Sequence, residues 1–247
     1  MRRLRCHLPS VWQKGELAPL EEHEAHHLLR VLRVGEGHPV DVFNGAGLVG
    51  TGELRPAGKK AQVLLHTVSE VPRVQGFAVG FPLIKSPLLD DSLEQLVELG
   101  ASDFFVLQAE HSTVHLHGER WNSRRAKWER AFQERLKQCE RAWLPTLHPE
   151  QYTLRALLQH ASARGTHHPV AFWERGSVGD FPFGGNEIMK KELAPLFLIG
   201  PEGGWSPEER DILEEKAVYK LTLTPAILRS ETALVAAGAL AHGFRGN

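Results

Sequence analysis

Phe197-Leu198-Ile199-Gly200-Pro201-Glu202-Gly203-Gly204-Trp205-Ser206-Pro207-Glu208-Glu209 decides how the C-terminal part of this chain is read. An apolar strand over 196–199 runs straight into a glycine-dense loop. Ser206 is placed as the N-cap of the next helix, with Pro207 at its first position and Glu209 three residues after the cap. Glycines at the carboxyl end of a parallel strand let backbone come close to a ligand and so form a crevice. The same residues also suit an ordinary strand-to-helix turn. No Gly-Lys-Ser/Thr follows and the spacing is not GxGxxG, so a phosphate cradle is disfavoured. Leu221-Thr222-Leu223-Thr224-Pro225-Ala226-Ile227-Leu228-Arg229-Ser230-Glu231-Thr232-Ala233 repeats the pattern: strand, proline-containing loop, helix, with Ser230 as a possible N-cap. Arg229 is a lone positive charge in an apolar surround. It either pairs with Glu231 at the surface or stands at the mouth of the crevice. Glu231, at a helix start, also fits a residue that compensates the helix dipole.

Working outward, strands and helices alternate from residue 72 to 247. Strands are read at 76–84, 104–107, 169–173, 196–199 and 218–223. Helices are read at 88–100, 120–143, 154–164, 207–216 and 231–242. Such alternation means an α/β domain on a mostly parallel sheet. The Gly-rich stretch 176–186 reads as a loop. Residues 1–71 read differently, as a small β-rich unit forming a barrel. Its single helix, 21–32, carries His23, His27, Leu28, Val31 and Leu32 at helical spacing and ends at Gly35 and Gly37. Short β-like runs follow at 39–43, 48–54 and 61–68, separated by turns at 44–47 and 55–60.

Composition bounds the function. The chain has 247 residues, 42% apolar and 24% charged, in the ordinary globular range. No stretch approaches the roughly 18 apolar residues of a membrane span, and the basic start has no apolar region after it, so no signal peptide is read. Cys6 and Cys139 are the two cysteines, far apart and outside any CxxC, which fits a reducing cytoplasm and disfavours a disulfide framework or structural zinc. The 14 histidines are scattered without HExxH spacing, so no metal site is expected. Net charge is −1, so nucleic-acid binding would have to come from local patches. One patch runs from Arg120 to Arg141 and includes Arg124, Arg125 and Lys127. It reads equally as a solvated helix face with i,i+4 pairs such as Arg125–Glu129 and as a phosphate-contacting face.

The two segments Ile199-Gly200-Pro201-Glu202-Gly203-Gly204 and Ile227-Leu228-Arg229-Ser230-Glu231-Thr232-Ala233 resemble the signature of the 16S ribosomal RNA uracil-N3 methyltransferases. Glu24 to Arg33, Phe43-Asn44-Gly45, Glu98-Leu99-Gly100, and Gln138, Arg141 and Pro145 add further matches, so the resemblance covers nearly the whole chain. It implies a PUA-like RNA-binding β-barrel at 1–71 and an α/β SPOUT methyltransferase domain with a C-terminal trefoil knot at 72–247. It implies S-adenosyl-L-methionine as cofactor, held by Leu198, Ile199, Gly200, Pro201, Gly203, Gly204, Leu223, Ile227 and Leu228. Arg229 and Glu231 would be catalytic. Arg30, Arg33, Arg124, Arg125, Gln138 and Arg141 would contact RNA. The implied partners are ribosomal RNA or the small ribosomal subunit and a second copy of the chain, in the cytoplasm and away from membranes.

The chain departs from the family's usual residues at Gln95 and His111, where lysine and arginine are usual, and at Thr224 and Ala226, where glycine and arginine are usual. Three basic groups are therefore missing. Methylation of another RNA, or a non-catalytic role in RNA binding or ribosome assembly, are the competing readings.

Overall fold

The computed structural model describes residues 4–173 and 193–243; the Gly-rich stretch 176–186 lies outside them. Two compact units divide the chain: Met1–Val74 with Phe132–Leu144, and Gln75–Ala131 with Pro145–Asn247.

The first unit contains β1 (Leu4–His7), β2 (Leu17–Pro19), β3 (Pro39–Phe43), β4 (Leu48–Ala57) and β5 (Lys60–Glu70). They make a five-stranded sheet in the order β1-β3-β4-β5-β2. β1 pairs parallel with β3, and the remaining pairs are antiparallel. The turn from β3 to β4 is set by Asn44, whose Oδ1 accepts from the backbone N–H of Ala46 at 2.8 Å and of Leu48 at 2.9 Å, as asparagine does in tight turns. The core gathers Trp12, Leu28, Val40, Val42, Leu54, Val63 and Leu65.

Residues 21–32 are not one regular helix. α1 (Glu22–His26) widens into a π turn over His27–Val31, and the Leu32 N–H reaches back to the His27 carbonyl at 2.9 Å. Ala25 and Leu28 stay buried, while Val31 and Leu32 become 59% and 43% exposed. A wider turn rotates the later residues off the face that a 3.6-residue period assigns them.

The long helix α3 (Gly118–Cys139) stops four residues short of the expected Trp143. Glu140 adopts a left-handed φ of 60°. Arg5 explains the stop: its guanidinium donates to the Leu136 carbonyl at 2.6 Å and the Arg141 carbonyl at 2.9 Å. A cation at a helix C-terminus satisfies carbonyls that have no partner in the helix.

The second unit is built on β6 (Ala78–Pro82), β7 (Asp103–Leu107), β8 (Thr146–Tyr152), β9 (His167–Phe172), β10 (Ala194–Leu198) and β11 (Tyr219–Leu221). These form a parallel sheet in the order β11-β9-β10-β6-β7-β8. β6 and β7 are buried at every residue, the reason they read as unbroken apolar runs. β8 carries His148, Pro149, Glu150 and Gln151, and that polar content hides it from pattern reading. It sits at the sheet edge and pairs with β7 across a register shift.

The helices of this unit are well terminated. α2 (Leu89–Glu98) buries Leu89, Leu93, Leu96 and Val97 and ends on Gly100 at φ 89°. The Ala101 N–H bonds the Leu96 carbonyl and the Gly100 N–H the Val97 carbonyl, the paired closure a left-handed glycine allows. α4 (Leu154–Arg164) is capped by Thr153 and closed by left-handed Gly165. α5 (Pro207–Glu215) and α6 (Ser230–Gly243) follow. α6 packs on α2 at Gly238, where a Cβ would lie 2.5 Å from Leu96 and 3.2 Å from Phe77. The chain therefore leaves β11 at one edge of the sheet and returns to the helix that follows the central β6. The loop making that return, 222–229, comes beside the glycine turn after β10.

Candidate active site

The capping box drawn from sequence is present. Ser206 Oγ accepts from the Glu209 N–H at 3.1 Å, and Glu209 Oε2 accepts from the Ser206 N–H at 3.0 Å. The cap fixes where α5 begins and therefore where the preceding turn must end. Within that turn the Gly204 N–H bonds the Pro201 carbonyl at 2.9 Å. Trp205 folds back beneath it, buried, with its indole N–H donating to the Phe172 carbonyl at 3.0 Å. A Cβ on Gly200 would sit 3.2 Å from the Trp205 ring, so a side chain there would crowd the indole.

The second loop is tied to the first. Ser230 Oγ donates to the Gly200 carbonyl at 3.0 Å. Ser230 is the first helical residue of α6, not its cap: the Arg229 carbonyl accepts the first helical bond, from Ala233 N–H at 2.9 Å. Thr224 Oγ1 accepts from the Ala226 N–H at 3.3 Å and shapes the bend before Ile227.

Between the loops lies a cavity of about 220 Å³, lined by residues from the carboxyl ends of β9 and β10 and from the loop after β11. This is where ligands bind in parallel α/β sheets. Of the residues expected to hold a cofactor, Ile199, Gly200, Pro201, Gly204, Leu223, Ile227 and Leu228 line it. Leu198 does not: it is fully buried in the core. Gly203 faces His111 instead, whose Cβ would be 2.9 Å from a Cβ added there. Sequence reasoning gave no cofactor role to Phe172, Trp173, Trp205, Glu202 or Ala233, which also line the cavity. A strand that ends in Phe-Trp beside the glycine turn was the available signal for the first two. Thr224 and Ala226, two of the departures, line it as well. Gln95 lies exposed on α2.

Arg229 borders the cavity, is exposed, and has no side-chain partner among the described residues. It does not pair with Glu231. Glu231 is buried at 6% exposure and does not line the cavity. Its Oε1 accepts from Ser86 Oγ at 3.0 Å, and that hydroxyl in turn accepts from the Leu88 N–H at 3.2 Å. Ser86 is thus oriented to donate, and Glu231 is held as an acceptor in the first turn of α6, where the helix dipole favours a carboxylate.

The expected RNA contacts are dispersed. Arg30, Arg33 and Arg141 make no side-chain ion pair or hydrogen bond among the described residues. Arg33 sits at a left-handed φ of 53°. Gln138 accepts from Arg135 at 3.2 Å. Arg125 pairs with Glu129 at 3.5 Å. Arg124 donates to Asp90 at 2.6 Å and stacks over Trp128. Burial alone would raise the Asp90 carboxyl, but hydrogen bonds from Lys127 and Trp128 and the Arg124 charge hold it below its ordinary range. Among the described residues, His23, Glu24 and Glu134 cluster closely enough to hold a metal ion. However, the Lys137 ammonium is already bonded to both Glu24 and Glu134.

A parallel α/β sheet with a glycine turn and a returning C-terminal loop around a crevice defines a SPOUT-like methyltransferase fold, here preceded by a small β unit. The chain belongs to the RNA methyltransferase domain family, whose model matches residues 73–242, and an RNA methyltransferase PUA domain model matches residues 20–64. Ribosomal RNA small subunit methyltransferase E of Bacillus subtilis is 28% identical over 217 residues, covering 85% of this chain and 83% of that protein. The enzyme of the same name from Mycobacterium tuberculosis is 24% identical over 245 residues, 92% and 86% of the two chains. Among solved structures, ribosomal RNA small subunit methyltransferase E from Neisseria gonorrhoeae bound to S-adenosyl methionine superposes with a TM-score of 0.82 at 24% identity, over 96% of each chain. A Legionella pneumophila protein solved with bound SAM superposes at 0.84, with 24% identity over 98% of each chain. No helix among the described residues is long and apolar enough to cross a membrane.

Proposed function

We propose that this protein methylates N3 of a uridine in 16S ribosomal RNA of the small ribosomal subunit, using S-adenosyl-L-methionine bound in the cavity between the glycine turn and the 222–229 loop. One observation carries the reading: Arg229, a guanidinium with no side-chain partner among the described residues, stands at the rim of a cavity walled mainly by glycine backbone, aromatic rings and aliphatic side chains, with Glu202, Thr224 and Ser230 as its other polar side chains. That wall suits a cofactor with a flat adenine and no phosphate. Gly200 and Gly204 offer backbone, Leu223, Ile227 and Leu228 offer apolar surface, and Trp205 closes the floor.

When bound, S-adenosylmethionine supplies an electrophilic methyl group on a sulfonium. The protein's part is alignment of donor and acceptor and stabilisation of charge on the base. A uracil imide nitrogen becomes a good nucleophile when it loses its proton to solvent, and Arg229, exposed at the cavity rim, would stabilise the anion that forms. Glu231, buried and held by Ser86, positions the start of α6 and hence Arg229 two residues before it. Of the five arginines expected to contact RNA, Arg30, Arg33 and Arg141 have no ion pair among the described residues and keep their charge for RNA phosphates, whereas Arg124 and Arg125 are paired with Asp90 and Glu129. Gln138, beside Arg135, is a polar contact to RNA in the same reading. The target base must be unstacked or unpaired to present N3. The protein works as a homodimer, a state that sedimentation of the pure protein tests.

The experiment is methyl transfer from labelled S-adenosylmethionine to unmodified 16S RNA and to 30S particles, with the product nucleoside identified by mass spectrometry. N3-methyluridine is the expected product. Cofactor binding without transfer to either substrate would move the assignment to another RNA.

A further inference from the structure

In the loop joining β7 to α3, the His111 side chain touches the glycine turn. A tight turn over 109–112, closed by the Ser112 N–H on the Ala109 carbonyl at 3.0 Å, sets His111 against the turn. Its Nδ1 lies 3.1 Å from the Gly203 carbonyl and 3.2 Å from the Gly204 carbonyl. Both neighbours are acceptors, so Nδ1 must carry the proton. The adjacent residue is fixed as well: the Glu110 N–H donates to Glu209 Oε1 at 3.1 Å, and Glu209 is the carboxylate that completes the α5 capping box. Two consecutive loop residues are therefore fastened, one to the turn and one to the helix that terminates it. The fit is close on the other side too, since a Cβ on Gly203 would come within 2.9 Å of the His111 Cβ.

We propose that His111 is a positioning residue for the cofactor: by donating Nδ1–H to the Gly203 and Gly204 carbonyls it fixes the peptide planes of the turn, so that Gly200, Pro201 and Gly204 present a preformed wall to the ligand. Gly203 is glycine because His111 occupies the space a side chain would need. His111 does not line the cavity, so it acts through the turn and not by touching the ligand. A turn lacking this donor samples other peptide orientations, and the ligand must then supply the ordering free energy on binding.

This inference rests on the proposed cofactor site, and the test separates the two. Calorimetric titration of S-adenosylmethionine into the full-length protein is compared with His111→Ala, His111→Asn, His111→Gln and Gly203→Ala. One net hydrogen bond corresponds to roughly a two- to tenfold change in affinity. His111→Ala weakens binding within that range. His111→Asn restores it, because an asparagine Nδ2 falls near the position of imidazole Nδ1, and His111→Gln, whose amide reaches one bond further, does not. Gly203→Ala weakens binding in the wild type and in the His111→Ala background alike, because the Cβ it meets at 2.9 Å is kept by alanine. In the transfer assay, His111→Ala raises KM for S-adenosylmethionine by a larger factor than it lowers kcat, a split that general loss of folded protein would not produce. Absence of binding by the wild type overturns the cofactor reading and the brace with it. Wild-type binding that His111→Ala leaves unchanged, or a loss in His111→Ala that His111→Asn does not restore, overturns the brace alone.

Discussion

Removing the Ser230 hydroxyl cuts the hydrogen bond that joins the two loops of the cavity. Ser230 Oγ donates to the Gly200 carbonyl at 3.0 Å, Ser230 is buried, and both residues line the cavity. Ser230→Ala changes little in the helix itself, since alanine is a good helix former. A typical net hydrogen bond contributes about 1 kcal/mol, rising toward about 3 kcal/mol if the abandoned carbonyl finds no other donor. For a unit of this size, each kcal/mol corresponds to roughly 2–4 °C in unfolding midpoint, so a fall of about 2–12 °C is expected. The loops then separate more easily in the free protein, and a ligand that needs them together must offset part of that freedom. Since about 1.4 kcal/mol is a factor of ten, S-adenosylmethionine binding should weaken by about three- to tenfold. Thermal unfolding of the free protein and calorimetric titration measure the two effects on one preparation. Ser230→Thr, which keeps the hydroxyl, should fall between the alanine variant and wild type in both. If Ser230→Ala matches wild type in midpoint and in affinity, the tie does not hold the cavity together and the reasoning fails.

Arg229→Ala should abolish methyl transfer while leaving S-adenosylmethionine affinity within about twofold, because removing a stabiliser of transition-state charge costs roughly a hundredfold or more; equal turnover in an RNA methylation assay would exclude the role. Ser206→Ala removes the α5 cap and should destabilise by about 0.5–2 kcal/mol in denaturant unfolding, with Glu209 free to release the Glu110 N–H. Acid should act in two stages. Burial lowers His167 and His160 from their ordinary value of 6.5, so the unfolded chain takes up protons first and stability declines as pH falls below about 7. Burial would raise Asp103, but hydrogen bonds from His148 and Ser102 hold it below 3.8, so its contribution, complete above that value, is lost only as pH falls through the lower folded value. Unfolding free energy that is flat between pH 7.5 and 5.5 would contradict the histidine part, and His167→Asn should reduce the slope there.

The parallel strands and their helices were legible in sequence because β6 and β7 are buried on both faces and α2, α4 and α5 carry explicit end signals: Gly100, Thr153 with Gly165, and the Ser206–Glu209 box. β1, β2 and β8 were not, being short or polar and deriving their place from pairing partners distant in the chain. The end of α3 was misplaced for a similar reason. Nothing between Glu140 and Trp143 stops a helix by composition; Arg5, more than 130 residues away, takes the carbonyls. The π turn after His26 likewise leaves no mark in the residue pattern.

For the site, sequence alone determined that a glycine-dense strand end and a proline-bearing one with a lone arginine lie near the C-terminus, since backbone freedom, capping chemistry and isolated charge are properties of short segments. The tertiary structure decided what those segments do to each other. It put Ser230 on the Gly200 carbonyl, turned Gly203 toward His111 and away from the cavity, buried Leu198, and gave Glu231 to Ser86 and not to Arg229. It also brought Phe172 and Trp173 from the neighbouring strand into the wall. Each of these contacts joins residues separated by many positions, and their distances follow from strand order and from the returning loop, which local physical chemistry does not encode.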